Sequence, residues 1–450
     1  MVNKILIANR GEIASRIIRS CKTMKITTVA IYSKADQTAP FVEQADESYL
    51  LGNSRVEESY LDIKKILSIA NDAKVDAIHP GYGFLSENPE FAKNCRNEGF
   101  IFIGPTEEII KKMGSKIEAR ETMRKAGVPI IPGNDGELTS VNQAIDTASD
   151  LGYPVMLKAS AGGGGIGMQI VYNDYELSEA FVNNSKRAQS FFGDGTMFME
   201  KKLTNARHIE VQVLGDHHGN VVHLFDRECS VQRRNQKIIE EAPSPFISKK
   251  TRYLMGDIAV QAAKAMAYTN AGTIEFLVDE EENFYFLEMN TRIQVEHAIT
   301  EEITNLDIVK EQINIADGKA LTVSQDEINI NGHAIEVRIY AEDPVTFYPS
   351  PGCITNLKVP SGNQVRNELS VKEGYNVTPF YDPMIGKLIV SNKTRNKVID
   401  TLKTMLDSYK IDGIKTNIPM LKVMVEHEQF KLGNTTTTFV QDYYLSLIKK

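Results

Sequence analysis

The feature that most constrains the fold is an alternation of strand-like and helix-like segments over the first hundred residues. KILIAN (4–9) is a short, mainly apolar run and reads as a buried strand. The stretch after it, GEIASRIIRSCKTM, places Ile13, Ile17 and Cys21 four apart on one helical face. TTVAIYS (27–33), VDAIHP (75–80) and FIFIG (100–104) repeat the strand pattern between helical stretches. This alternation predicts a parallel, doubly wound sheet. No GxGxxG follows the first strand, so a dinucleotide reading lacks its main support.

A second region begins near Ser115. PVMLKAS (154–160) reads as a strand entering the loop AGGGGIGM (161–168), and Asp174 is placed to cap a helix from Tyr175 to Gln189. In HIEVQVLGD, Ile209, Val211 and Val213 alternate with His208, Glu210 and Gln212, the pattern of a half-buried strand. Its expected partner is NVVHLFD (220–226) across the turn GDHHGN. A third region starts near Ile330 with HAIEVRIY, passes through YPSPG (348–352) and closes with two helical patterns. At 450 residues the chain has room for three domains, expected at 1–114, 115–330 with a lid at about 131–203, and 331–450.

Composition narrows the class. With 51 basic and 59 acidic residues the formal charge is −8, which argues against a general nucleic-acid or anionic-membrane binder. No apolar run approaches the roughly 18 residues of a membrane span, and the opening MVNKILIANRGEIASR does not read as a signal peptide. Cys21, Cys95, Cys229 and Cys353 form no CxxC pair, so neither a zinc site nor a disulfide framework is expected. A cytoplasmic enzyme fits these counts.

Three segments carry chemistry. Gly162 to Gly165 and Gly167 let a backbone approach an anion closely, with Lys158 as a point charge, although the P-loop pattern GxxxxGK[ST] is missing. In the hairpin Thr273–Asn290, pairing Val278 with Tyr285 sets Phe276 opposite Leu287, Ile274 opposite Met289, and Glu275 opposite Glu288. Opposed carboxylates rooted about 4.5–5.5 Å apart destabilise a strand pair unless compensated. A divalent cation such as Mg²⁺ compensates them, with Asn290 on the same face adding an amide oxygen; the other reading is a solvated acidic face in a different register. TRIQVEH (291–297) then packs Arg292, Gln294, Glu296 and His297 into seven residues, while ECSVQRRNQK (228–237) supplies Lys237 and HAIEVRIY supplies Arg338. Each is also what a solvated loop or the polar face of a strand looks like.

Taken together, ILIANRGEIA, HPGYGFLSEN (79–88), KASAGGGGIGM, ECSVQRRNQKIIEEAPSP, FLEMNTRIQVEH, HAIEVRIYAEDP, YPSPG and FYDPMIGKL resemble biotin carboxylase, the ATP-grasp component of biotin-dependent carboxylases. The resemblance runs in order along essentially the whole chain. It implies an α/β and α+β molecule: an ATP-grasp fold with an N-terminal doubly wound parallel-sheet domain and a C-terminal mixed α/β domain. It implies an ATP site at Lys116, Lys158, Gly164 and Gly165, with Glu200, Lys201, Lys202 and Leu203 holding adenine and His208 and Asn235 nearby. Glu275, Glu288 and Asn290 would hold Mg²⁺ or Mn²⁺; Lys237, Arg292, Gln294, Val295 and Glu296 would form the bicarbonate site; Arg338 would face biotin.

The implied reaction is attack of bicarbonate on ATP to give carboxyphosphate, with Glu296 as base, followed by carboxylation of carrier-bound biotin. This is the first half-reaction of acetyl-CoA carboxylase, leading to malonyl-CoA and fatty acids. Two positions depart from the family pattern: Ile166 stands where Arg or Lys is often expected, and Asn235 where some relatives carry His. The chain lacks a Met-Lys-Met biotin-attachment motif, so the biotin carboxyl carrier protein and carboxyltransferase subunits are expected as separate partners, with the chain itself a homodimer.

Overall fold

The structure, a computed structural model, describes residues 1–134, 136–161 and 167–448. Strands β1 (Lys4–Ile7), β2 (Thr27–Ser33), β3 (Glu47–Gly52), β4 (Ala77–His79) and β5 (Ile101–Phe102) form an all-parallel sheet in the order β3-β2-β1-β4-β5. β1 lies at its centre, and Ile5, Leu6 and Ile7 are fully buried because helices cover both faces of such a sheet. The helix Gly11–Thr23 turns Ile13, Ile17 and Cys21 inward, as their spacing requires. The edge strand β3 has no counterpart in the sequence reading, since ESYLLG is half exposed and lacks an apolar run.

A smaller sheet, β7-β6-β8, is built from β6 (Val155–Ala159), β7 (Met168–Val171) and β8 (Met197–Lys201). The helix beside it spans Asp174–Phe192, and its cap is Asn173 rather than Asp174: the Asn173 Oδ1 accepts the Glu176 amide at 2.9 Å. Asp174 is the first helical residue instead, where its charge favours the helix N-terminus.

The largest sheet is antiparallel and has eight strands. β9 (Arg207–Gly215), β10 (Val221–Arg233), β11 (Gln236–Ala242), β12 (Asn270–Val278), β13 (Phe284–Asn290) and β14 (His333–Tyr340) run in the order β13-β12-β9-β10-β11-β14, continued by Met384–Asn392 and Val365–Leu369. β14 pairs directly with β11, setting Glu240 opposite Glu336, so residue 330 divides the sequence but not the sheet. β9 corrects the expectation of a half-buried strand, because all nine of its residues are buried. Flanked by β10 and β12, it packs Ile209, Val211 and Val213 against the helix Lys249–Ala265, and the site's own side chains cover its polar face. No helix among the described residues is long and apolar enough to cross a membrane.

Candidate active site

The hairpin β12–β13 brings Glu275 opposite Glu288 and Ile274 opposite Met289, in the expected register. Beyond Glu275 a β-bulge shifts the pairing by one residue, so Phe276 opposes Phe286, not Leu287, and Val278 opposes Phe284, not Tyr285. The bulge has a consequence for the site: the consecutive residues Leu287 and Glu288 line the same cavity. That cavity, of about 390 Å³, lies between β6–β8 on one side and β9–β13 on the other.

At its apolar end Met156, Met168, Phe198, Leu277 and Leu287 form walls suited to a flat aromatic ring. Of the adenine segment implied by the resemblance, Glu200 and Lys202 reach the cavity, whereas Lys201 Nζ turns away to the Gly152 carbonyl at 2.6 Å and Leu203 does not line it. The Glu200 carboxylate accepts from both Arg120 and Lys158, tying two cations to the cavity wall. Lys116 faces the same space; burial pulls it below the ordinary lysine range, and Glu288 works against that shift. His208 and Asn235 also line the cavity, while Gly164, Gly165 and Ile166 lie outside the described residues.

The polar end is organised around Lys237. Its ammonium donates to Glu210 at 2.6 Å, to Glu275 at 2.8 Å and to Glu296 at 2.8 Å. Burial opposes its charge, yet these three carboxylates hold it protonated well above the ordinary lysine range. Glu275 Oε1 also accepts from Asn290 at 2.8 Å and Gln294 at 2.7 Å, and its Oε2 stands 2.9 Å from His208 Nε2. Burial would raise the Glu275 carboxyl, but Lys237 and His208 hold it well below the ordinary range. Glu288 goes the other way, pushed up first by burial and then by the charge of Glu275.

The donor set fits a hard divalent cation. Of the two carboxylates in direct cross-strand register, Glu288 is only partly compensated, by Lys116, His208 and Lys237, and the Asn290 amide oxygen lies on the same strand two residues on.

Glu296 ends the loop TRIQVE and directly precedes the helix His297–Thr304, with its carboxylate making no capping bond to that helix. Lys237 holds its Oε1, and Arg338 Nη2 donates to its Oε2 at 3.0 Å. Burial opposes ionisation, but Lys237, Arg338 and Arg227 together hold the carboxyl well below the ordinary range. Arg292 is not its second cation: its Nε pairs with Glu87 at 2.8 Å and its Nη2 donates to Asn290 Oδ1 at 2.8 Å.

Several residues of the network carried no local signal. Arg227, fully buried on β10, donates to Glu210 at 2.5 Å and to Gln294 Oε1 at 2.5 Å, fixing the orientation of that amide. Glu240 on β11 accepts from Arg338 Nε at 2.6 Å; burial raises its carboxyl to about 7, with Arg338 opposing. Only Glu210 is legible in the sequence, from its period-two alternation with His208 and Gln212 on β9.

A second cavity, of about 350 Å³, opens between the N-terminal parallel sheet and the third region. Glu12, Tyr82, Tyr340 and Tyr381 are among its lining, and it shares Gln236, Arg292, Val295 and Arg338 with the first. The two chambers therefore meet at Arg338 and at the loop carrying Glu296.

A small three-stranded subdomain facing a carboxylate-bearing antiparallel sheet across a cavity defines the ATP-grasp class. The chain matches the ATP-binding domain of the carbamoyl-phosphate synthase L chain over 115–324, the biotin carboxylase N-terminal domain over 1–110 and the biotin carboxylase C-terminal domain over 336–442. It is 59% identical to biotin carboxylase 2 of Bacillus subtilis (strain 168), over 98% of this chain and all of that one. It is 51% identical to one of the pyruvate carboxylase subunits of Methanothermobacter thermautotrophicus, over 98% of this chain and 90% of that one. The biotin carboxylase domain dimer of Hydrogenobacter thermophilus 2-oxoglutarate carboxylase, solved with MgADP, ADP and bicarbonate, matches with a TM-score of 0.95 and 47% identity over 98% of each chain. The chain belongs to the biotin carboxylase family, ATP-dependent ligases that use ATP, Mg²⁺ and bicarbonate and carboxylate biotin.

Proposed function

We propose that this chain cleaves ATP in the first chamber, by attack of bicarbonate held between Lys237, Arg292 and Glu296, and carboxylates biotin presented from the second. The observation that carries the assignment of roles is the junction: Arg292 and Arg338 both lie on the walls of the two chambers, and Arg338 also donates to Glu296. Mg²⁺ held by Glu275, Glu288 and the Asn290 amide oxygen would neutralise phosphate charge. Lys116 and Lys158 stand on the same cavity wall to meet phosphate oxygens.

Glu296 is the proposed base, and its environment explains when it acts. While Lys237 and Arg338 pair with it, the carboxylate is too weak to take a proton from bicarbonate. Anionic substrate beside the same two cations draws their charge away, which raises the basicity of Glu296 once the site is loaded. The proton then moves from bicarbonate to a Glu296 oxygen while the bicarbonate oxygen attacks the γ-phosphorus of ATP, the bond to the β,γ-bridging oxygen breaks, and carboxyphosphate forms as ADP leaves. Arg338 is placed to stabilise the biotin oxygen as it gains negative charge.

The reading extends to a homodimer working with a biotin carboxyl carrier protein and carboxyltransferase subunits in the cytoplasm, as acetyl-CoA carboxylase in fatty-acid synthesis. The 59% identity to a biotin carboxylase supports that setting, while the 51% identity to a pyruvate carboxylase component keeps a second acceptor in view. Phosphate release with and without bicarbonate and free biotin tests the half-reaction: release independent of bicarbonate would sink it. Identifying the biotinylated protein that co-purifies with the chain decides the acceptor.

A further inference from the structure

Behind the loop that carries Glu296 lies a lysine that the proposed chemistry does not use. Lys387, on the strand Met384–Asn392, is directly opposite Arg338 on β14 and is fully buried. Its Nζ donates to the carbonyl oxygen of Val295, lies 3.3 Å from Glu12 Oε1 and 3.9 Å from Glu336 Oε2. Glu368 stands opposite it in register on the other neighbouring strand, with its carboxylate held by Arg19 and Arg366. A fully buried ammonium needs such partners, because an unpaired one is strongly disfavoured. What is unusual is the choice of the Val295 carbonyl, a loop group one residue ahead of Glu296.

The peptide joining Val295 to Glu296 is planar, so anchoring its carbonyl on one side aims the Glu296 N–H to the other and fixes the position of the Glu296 Cα, from which the side chain departs. The helix His297–Thr304 starts directly after Glu296, and its first amide, that of His297, donates to the Gln294 carbonyl at 3.3 Å. The loop is thus pinned at both ends of Val295–Glu296. The Lys387 ammonium also sits beside Glu12, which accepts from the Tyr82 hydroxyl, and both of those residues line the second chamber. We infer that Lys387 is a positioning residue of the bicarbonate site: by holding the Val295 carbonyl from behind, it fixes the 294–296 loop against which bicarbonate binds. This rests on the reading that bicarbonate is bound beside Glu296.

Steady-state kinetics of phosphate release on the full chain test it, with bicarbonate and ATP varied separately. Lys387→Met removes the donor but strands Glu12, so the comparison that decides is Glu12→Gln/Lys387→Met against Glu12→Gln. Removing a charge-assisted bond that orders the loop should raise the KM for bicarbonate by about tenfold or more. The KM for ATP should stay within about twofold, and Lys387→Arg should recover part of the loss. An unchanged bicarbonate KM with a fall in kcat and melting temperature would make Lys387 a purely structural staple and overturn the inference. So would parallel rises in both KM values, or a double variant that does not fold. Loss of bicarbonate dependence in the unmutated chain would instead sink the functional reading on which the inference rests.

Discussion

Lys237 is the residue on which the charge of the site converges, and the carboxylates around it divide by what compensates them. Glu275 and Glu296 share its ammonium, whereas Glu288 is left raised by burial and by Glu275. Glu288→Gln keeps the volume and removes the charge that Glu275 opposes. It should lower ATP turnover by about 10²-fold or more, a scale typical of losing one group that meets transition-state charge, with the fold intact by circular dichroism. Relief of the cross-strand repulsion should leave the ligand-free protein no less stable, with a gain of a few tenths of a kcal/mol. Turnover unchanged at limiting Mg²⁺ would remove Glu288 from the metal site. Glu296→Gln makes a different cut. It should abolish bicarbonate-dependent ATP cleavage while leaving nucleotide affinity by calorimetry unchanged; affinity falling in step with rate would mean that the residue is structural.

At the scale of the element, β11 shows what was legible and what was not. Its Glu241 accepts from His333 Nε2 at 2.6 Å and from Arg395 Nε at 2.6 Å, joining β11, β14 and the helix Arg395–Ser408. Burial opposes the charge, yet these partners lower the carboxyl from the ordinary 4.5 to about 2. A depressed folded value stabilises the protein above the unfolded pKa, and the contribution is lost as pH falls from about 4.5 towards 2. The shift corresponds to about 3 kcal/mol at most. The gap in unfolding free energy between the native chain and Glu241→Gln should therefore narrow over that window; a gap independent of pH would contradict the assignment. None of this could be read from IIEEAPSP, because the partners of Glu241 come from positions 92 and 154 residues away. The same holds for Glu240 and Arg227, whose roles arise from sheet pairings that leave no local periodicity. What the chain did announce is local: the apolar runs of β1 and β2, the alternation on β9, and the opposed glutamates of the hairpin. The hairpin register held where Glu275 meets Glu288 and slipped beyond it, since a bulge costs one residue and changes no pattern of residue types.

At the scale of the molecule, the parallel sheet, the small sheet β6–β8, the large antiparallel sheet and the third region together line two chambers with a common wall. The Glu87–Arg292 pair fastens the N-terminal region to the phosphate side, and Glu12 fastens it to Lys387 behind the loop. On the proposed reading each half-reaction has its own space, with Arg338 between the two, held by Glu240 and Glu296. Its contact with Glu296 means that losing it should affect both steps, but unequally, because Glu296 keeps Lys237 while the biotin oxygen loses the donor aimed at it. The most direct test of the two-chamber account is to measure phosphate release and carboxybiotin formation on Arg338→Gln in the same reaction. Carboxybiotin should fall by about 10²–10³, the cost of one oxyanion donor, and phosphate release by much less, so that the ratio of the two products drops. A ratio equal to that of the unmutated chain, with both activities reduced in parallel, would contradict it.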